Sequence, residues 1–230
     1  SESFADNRAA TVVPLLNGFA ERWLNAELPA WFNYAFATVE ECAPVKKAAM
    51  GGGTPDVRPV GKGECLPRMI NSKLVADNKA AAFDELWPHN VGTAVKDGCG
   101  ILAHGIRLAT ELRPQFALVN LDVLNAHNSL VRAKALERLN ACDGLRHLVP
   151  AYWAQYAPKS RIYFRGARRE VIRAGFDSEE AWRQGCPLAQ LGFNVAINPE
   201  VKALDAALKA HGGFARFNHD DGYAFGPVDV

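Results

Sequence analysis

The chain has 230 residues, 49% of them hydrophobic and 22% charged, with a formal net charge of +1 at pH 7. This is an ordinary globular composition, which excludes a largely disordered chain, and no apolar run reaches the roughly 18 residues of a membrane-spanning helix. A charge so near zero excludes a surface that is basic all over, but it leaves room for a basic groove balanced by acid elsewhere.

In chain order, the first predicted helix begins near Pro14, which suits a first helical position, and Leu15, Phe19 and Trp23 recur on one apolar face. Residues 33–47 alternate loosely and read as a strand entering the Gly-rich loop at 48–53. Residues 68–86 read as a helix stopped by Pro88. The next helix covers about 99–112, with Ile101, Leu108 and Leu112 along one face and Pro114 after it. Residues 116–121 are a short apolar run of buried-strand type that ends at Asp122. A helix over about 129–140 turns Leu136 and Leu139 inward. Residues 160–176 read as two strands joined through an arginine cluster. Residues 187–197 suit a helix, and 199–210 a second one, with Val201, Leu204 and Leu208 on one face and Gly212-Gly213 behind. Residues 215–217 and 223–225 flank Asp220-Asp221-Gly222 and read as a hairpin. The fold class is α+β, with helices packed on a small sheet.

The carboxylates carry the strongest chemical signal. Asp122 sits just after the predicted buried strand, where Asp either caps a turn or does chemistry. Asp221-Gly222 is the favoured two-residue hairpin turn, and that turn leaves Asp220 unexplained. Adjacent carboxylates repel unless a cation lies between them. A hard ion such as Mg²⁺ takes one or two carboxylates together with substrate phosphates. Asp122, Asp220 and Asp221 on neighbouring strand ends therefore form a candidate two-metal site for phosphoryl transfer.

Other constellations say less. Gln184-Gly185-Cys186-Pro187-Leu188 is a tight turn into a helix; Gly and Pro suit the turn, and Gln184 is left over for a substrate. Cys186 reads either as a small buried hydrophobe or, beside basic residues, as a nucleophile. The five cysteines (Cys42, Cys65, Cys99, Cys142 and Cys186) are far apart and contain no CxxC pair, so reduced, intracellular thiols are expected. The six histidines show no HxH or HxxxH spacing, which argues against a zinc site. Arg161, Arg165, Arg168, Arg169 and Arg173 fall within thirteen residues beside Tyr163 and Phe164. They read either as a solvated hairpin face or as contacts to a nucleic-acid backbone.

Taken in this order, the pieces resemble a reverse transcriptase domain of the non-LTR retrotransposon and group II intron type, from about Arg58 to the C-terminus. Arg58-Pro59-Val60 followed by Glu64-Cys65-Leu66-Pro67-Arg68 looks like the fingers segment, and 121–128 followed by Arg132 looks like the first palm motif. Arg183-Gln184-Gly185-Cys186-Pro187-Leu188 with Phe193 is similar to the Gln-Gly-x-Pro-Leu motif, and His219-Asp220-Asp221 to the end of Tyr-x-Asp-Asp. The family usually has an aromatic residue where His127 and Asn218 stand here. An RNA-dependent RNA polymerase would carry a second Asp at the position of His127.

The resemblance implies a right-hand polymerase fold: residues 1–57 an N-terminal helix and fingers extension, 58–110 fingers, and 111–230 palm, with a basic fingers hairpin near 158–176 and no thumb before Val230. It implies that Asp122, Asp220 and Asp221 are catalytic and hold two Mg²⁺ or Mn²⁺ ions. It assigns Arg58, Lys62, Arg68, His127, Gln184, Gly185 and Pro187 to nucleotide or template, and the arginine cluster to the nucleic-acid backbone. The implied function is RNA-directed DNA polymerisation by a piece of a longer protein that needs further parts, a picture the initial Ser fits. An inactive domain serving as a structural or RNA-binding subunit is the alternative. Expected partners are an RNA template, a DNA primer, deoxynucleoside triphosphates and a larger protein or ribonucleoprotein complex, with no membrane. The expected location is intracellular, and nuclear for a eukaryotic retroelement.

Overall fold

The computed structural model describes residues 2–42, 45–47, 56–57, 60–123, 125–157, 159–165, 170–173, 175 and 177–228, with 2–10, 45–47, 56–57, 165 and 171–173 described through their backbone alone. In chain order the elements are α1 (Glu2–Leu24), α2 (Ala30–Phe36), β1 (Val39–Cys42), β2 (Val45–Lys47), β3 (Asp56–Val57), β4 (Val60–Lys62), α3 (Cys65–Asp77), α4 (Lys79–Leu86), α5 (Gly98–Leu112) and β5 (Ala117–Asp122). There follow α6 (Arg132–Ala141), α7 (Val149–Tyr156), β6 (Ser160–Arg165), β7 (Val171–Arg173), β8 (Asp177–Ser178), α8 (Pro187–Lys209), β9 (Phe214–Asn218) and β10 (Asp221–Gly226), with 3-10 turns at Ala126–Asn128 and Arg146–Leu148. The Gly-rich stretch at 48–53 lies outside the described residues. Among the described residues, no helix is long and apolar enough to cross a membrane, and all five cysteines are free thiols. The chain divides into two compact units, residues 1–70 with 147–179 and residues 71–146 with 180–230.

In the first unit, β1 pairs antiparallel with β4 and parallel with β6, and β7 and β8 each pair antiparallel with β6. Trp23 packs with Ile70 and Ala154 inside a ring that includes Phe19, Leu24, Phe36 and Leu66. Phe19 meets Phe32 and Phe36 edge-on, with ring centroids 5.8 and 5.6 Å apart, and Trp23 meets Phe36 at 4.9 Å. Edge-on pairs of this kind add about 0.5–1.5 kcal/mol each beyond burial. They explain a departure from the sequence reading. Residues 30–36 are rich in strand-favouring aromatics, yet a helix puts Phe32 and Phe36 on one face, four residues apart, against Phe19. The expected strand over 33–47 is therefore replaced by α2 followed by β1 and β2. Helix α1 starts at Glu2, well before Pro14, and Leu15 is 70% exposed instead of sharing the buried face of Trp23.

In the second unit, a three-stranded antiparallel sheet of order β5–β10–β9 packs on α8. In α8, Leu188, Ala189 and every residue from Leu191 to Ala196 are buried. The two helices expected at 187–197 and 199–210 are one, running through Pro199. An interior proline costs a helix about 3 kcal/mol, and here both halves are fastened to the same neighbours. Arg138 of α6 bonds Ala196 O and the Glu200 carboxylate on either side of Pro199. Asn198 and Lys202 both reach Glu85 of α4, at 2.8 and 2.9 Å. The helix expected over 68–86 is instead two, α3 and α4, parted at Asn78. Helix α5 buries Leu102, while Ile101, Leu108 and Leu112 are exposed, so the inward stripe lies beside the expected one. Helix α6 turns Leu139 fully inward and Leu136 partly.

Strand β5 is mostly exposed, contrary to the buried run expected: it lies at the sheet edge opposite β9, the strand on which α8 chiefly packs. The terminal hairpin forms as expected, but its loop lies two residues earlier. Asn218 stands opposite Asp221, so His219 and Asp220 make the turn, His219 with a left-handed φ of 59°. Gly222 belongs to β10 and faces Phe217, whose ring lies 2.4 Å from where a Cβ would stand. Glycine is needed there by the ring and not by the turn.

Candidate active site

Three segments of the second unit carry the predicted site residues. Strand β10 pairs with β5 in a register that sets Asp221 opposite Asp122. Directly opposed residues of an antiparallel pair leave the same face of the sheet, with Cβ atoms about 4.5–5.5 Å apart. Asp220 precedes them in the turn. The partner that the backbone gives Asp122 is thus Asp221, with Asp220 alongside.

The 3-10 turn after β5 carries His127. Its ring stacks on Phe193 of α8, with centroids 4.7 Å apart. Burial lowers the His127 pKa below its usual 6.5, against a smaller opposing pull from the Asp220 carboxylate. His219 is lowered in the same way by burial, opposed by Asp220 and Asp221. Burial thus biases both rings towards the neutral form. The charges that act on them mark His127, His219 and Asp220 as one neighbourhood.

The third segment is 180–186. Cys186 N donates to Arg183 O at 3.1 Å, closing a four-residue turn with Gln184 and Gly185 at its centre. Gly185 has φ 102°, which a side chain would resist, and Pro187 opens α8. Gln184 is half-buried. Cys186 Sγ is half-buried and lies 3.5 Å from Asn71 Nδ2. This segment is tied to the stretch after β5: Ala181 N donates to Leu130 O at 3.1 Å and Trp182 N to His127 O at 3.3 Å. Arg132 is 7% exposed and donates to Glu180 O and Ala181 O at 3.0 and 2.9 Å, so its role is to fasten α6 to this turn.

The remaining predicted residues stand elsewhere. Lys62 ends β4 opposite Glu40, and Arg68 is exposed on α3, both in the first unit. Arg161 is paired with Asp177 at 3.2 Å across β6 and β8. Arg165 and Arg173 lie on the paired strands β6 and β7. Arg58, Arg168 and Arg169 lie outside the described residues.

The sequence reading passed over two asparagines that touch the turn. Asn90 and Asn194 are both fully buried, and each bonds to His219. A signal was there for Asn194, a lone amide between Phe193 and Val195 in an apolar helix run.

The donor set suits a hard divalent cation: three carboxylates on adjacent backbone positions. As the side chains stand, among the described residues no group of three or more His, Cys, Asp or Glu is arranged to hold a metal ion. Carboxylates brought together repel one another.

No family model matches the sequence, and no curated protein matches it. Among solved structures, the chain is similar to apo telomerase from Candida tropicalis truncated from its C-terminal domain, with a TM-score of 0.59 and 8% identity. The match covers 85% of this chain and 44% of that one, so the chain spans under half the length of its neighbour. At that identity the likeness is one of fold alone.

Proposed function

We propose that this chain is part of a reverse transcriptase of the non-LTR retrotransposon or group II intron type, acting as an RNA-directed DNA polymerase once further parts are supplied. The observation that carries the reading is the β5–β10 register, which sets Asp122 against Asp221 with Asp220 in the adjoining turn. Asp122, Asp220 and Asp221 would hold two Mg²⁺ or Mn²⁺ ions. When bound, such ions stabilise the charge that develops on the attacking and leaving oxygens of phosphoryl transfer. The chain's own part is to place the carboxylates and to shape the nucleotide pocket with His127, Gln184, Gly185 and Pro187. Lys62, Arg68 and the basic β6–β7 hairpin are the proposed contacts to nucleic acid. The test is extension of a DNA primer on an RNA template with deoxynucleotides, by this chain and by longer forms of it. Extension that disappears in Asp122→Asn is the expected result.

A second reading is a catalytically inactive domain that serves as a structural or RNA-binding subunit. The observation that favours it is Asn218, whose amide bonds Cys99 Sγ at 3.3 Å where the family usually has an aromatic ring. Stable residence in a complex unrelated to nucleic acid, with no extension, would decide for it.

A further inference from the structure

His219 holds a left-handed backbone conformation that costs a non-glycine residue about 1–2 kcal/mol, so its surroundings must enforce it. They do so from two sides. On one side, the backbone around Asn90 runs parallel to β9: Phe217 N donates to His89 O and Val91 N to Phe217 O, both at 2.8 Å. Asn90 Nδ2 donates to His219 O at 3.3 Å, and its Oδ1 accepts from Gly92 N at 3.0 Å and from His219 N at 3.4 Å. Gly92 lies against the histidine so closely that a Cβ would fall 2.7 Å from His219 N and 2.8 Å from its ring.

On the other side stands Asn194 of α8. Its Nδ2 donates to Thr93 Oγ1 at 2.7 Å and meets His219 Nδ1 at 3.2 Å, while Oδ1 is buried without a hydrogen-bond partner among the described residues. The opposite orientation of the amide would strand two buried N–H donors in place of one acceptor. Nδ1 of His219 is therefore the acceptor, and the ring proton sits on Nε2.

We propose that Asn90 and Asn194 are positioning residues that fix His219 in its turn and in its Nε2–H tautomer, and that they thereby set the direction of the next residue, Asp220. The functional meaning rests on the polymerase reading above; the geometry does not. Neither residue belongs to the motifs that carry the resemblance.

The test is nuclear magnetic resonance of the ¹⁵N,¹³C-labelled chain above pH 7, where long-range correlations distinguish the protonated from the bare ring nitrogen. Wild type is expected to show His219 with bare Nδ1. Asn194→Asp replaces the donor by an acceptor and is expected to move a proton onto Nδ1 and to shift the Asp220 carboxylate resonance. Thr93→Val, a milder change, is expected to shift both in part. Asn90→Ala is expected to raise amide exchange at His219 and Gly92 by about two- to tenfold, the loss of one net hydrogen bond. Protonated Nδ1 in wild type would overturn the proposal. So would His219 and Asp220 resonances that stay in place in both Asn194→Asp and Thr93→Val. None of these readouts needs nucleotide or metal, so a failed primer-extension assay would sink the polymerase reading while leaving this result to stand or fall by itself.

Discussion

Asp205 shows how much one buried carboxylate can organise. It sits in α8 with its side chain 1% exposed and accepts from Ala215 N at 2.9 Å, Arg216 Nη1 at 2.5 Å and Lys209 Nζ at 2.7 Å, with His89 Nε2 at 3.2 Å. Burial pushes its pKa up, but the donors outweigh burial and hold it at about 2. Because the folded value lies below the unfolded one near about 4, the stabilisation is full above that pH and is lost as pH falls towards 2. Asp205→Ala strands Arg216 and the β9 backbone and should cost about 3–5 kcal/mol in urea unfolding. The histidines give a second pH window. His89, His127 and His219 are each lowered by burial below 6.5. The unfolded chain therefore takes up more protons than the folded one just below that value, and the melting temperature should fall from pH 7.5 to 5. A flat profile would contradict this bias towards neutral rings.

At the scale of elements, the β9–β10 hairpin depends on Phe217 lying over Gly222. Gly222→Ala forces that ring away and should cost about 1–3 kcal/mol by thermal or chemical unfolding. The hairpin was legible in the sequence because two apolar runs flank a polar, glycine-containing step. Its exact turn was not, since Asp-Gly is a strong local signal and the ring that claims Gly222 comes from across the sheet. The same limit explains α5, whose apolar residues fall on more than one stripe. Only packing selects Leu102 over Ile101 and Leu108 as the buried one. Pro199 is a sound local stop signal for a helix, and only the ties from Arg138 and Glu85 on both sides of it reveal the continuity of α8. The turn at Arg183–Cys186 was readable residue by residue, since Gly185 and Pro187 each meet a backbone requirement. Asn90 was not, since nothing near it in sequence announces His219.

At the scale of the molecule, each unit is assembled from two separate stretches of chain: 147–179 joins 1–70, and 180–230 joins 71–146. Composition shifts along a sequence cannot show such an exchange, because it is fixed by contacts between distant residues. Motif order could show something of the site, because Asp122, Gln184 and Asp220-Asp221 all fall in one unit, together with the loops that fasten them. The proposed function requires this unit to present a divalent-cation site. The most direct measurement is a thermal-shift titration of the chain with Mg²⁺ and with Mn²⁺, alongside Asp122→Asn. The expected result is a stabilisation that approaches about 2.7 kcal/mol at one hundred times the dissociation constant and is lost in the variant. No shift with either ion, or the same shift in wild type and Asp122→Asn, would contradict it.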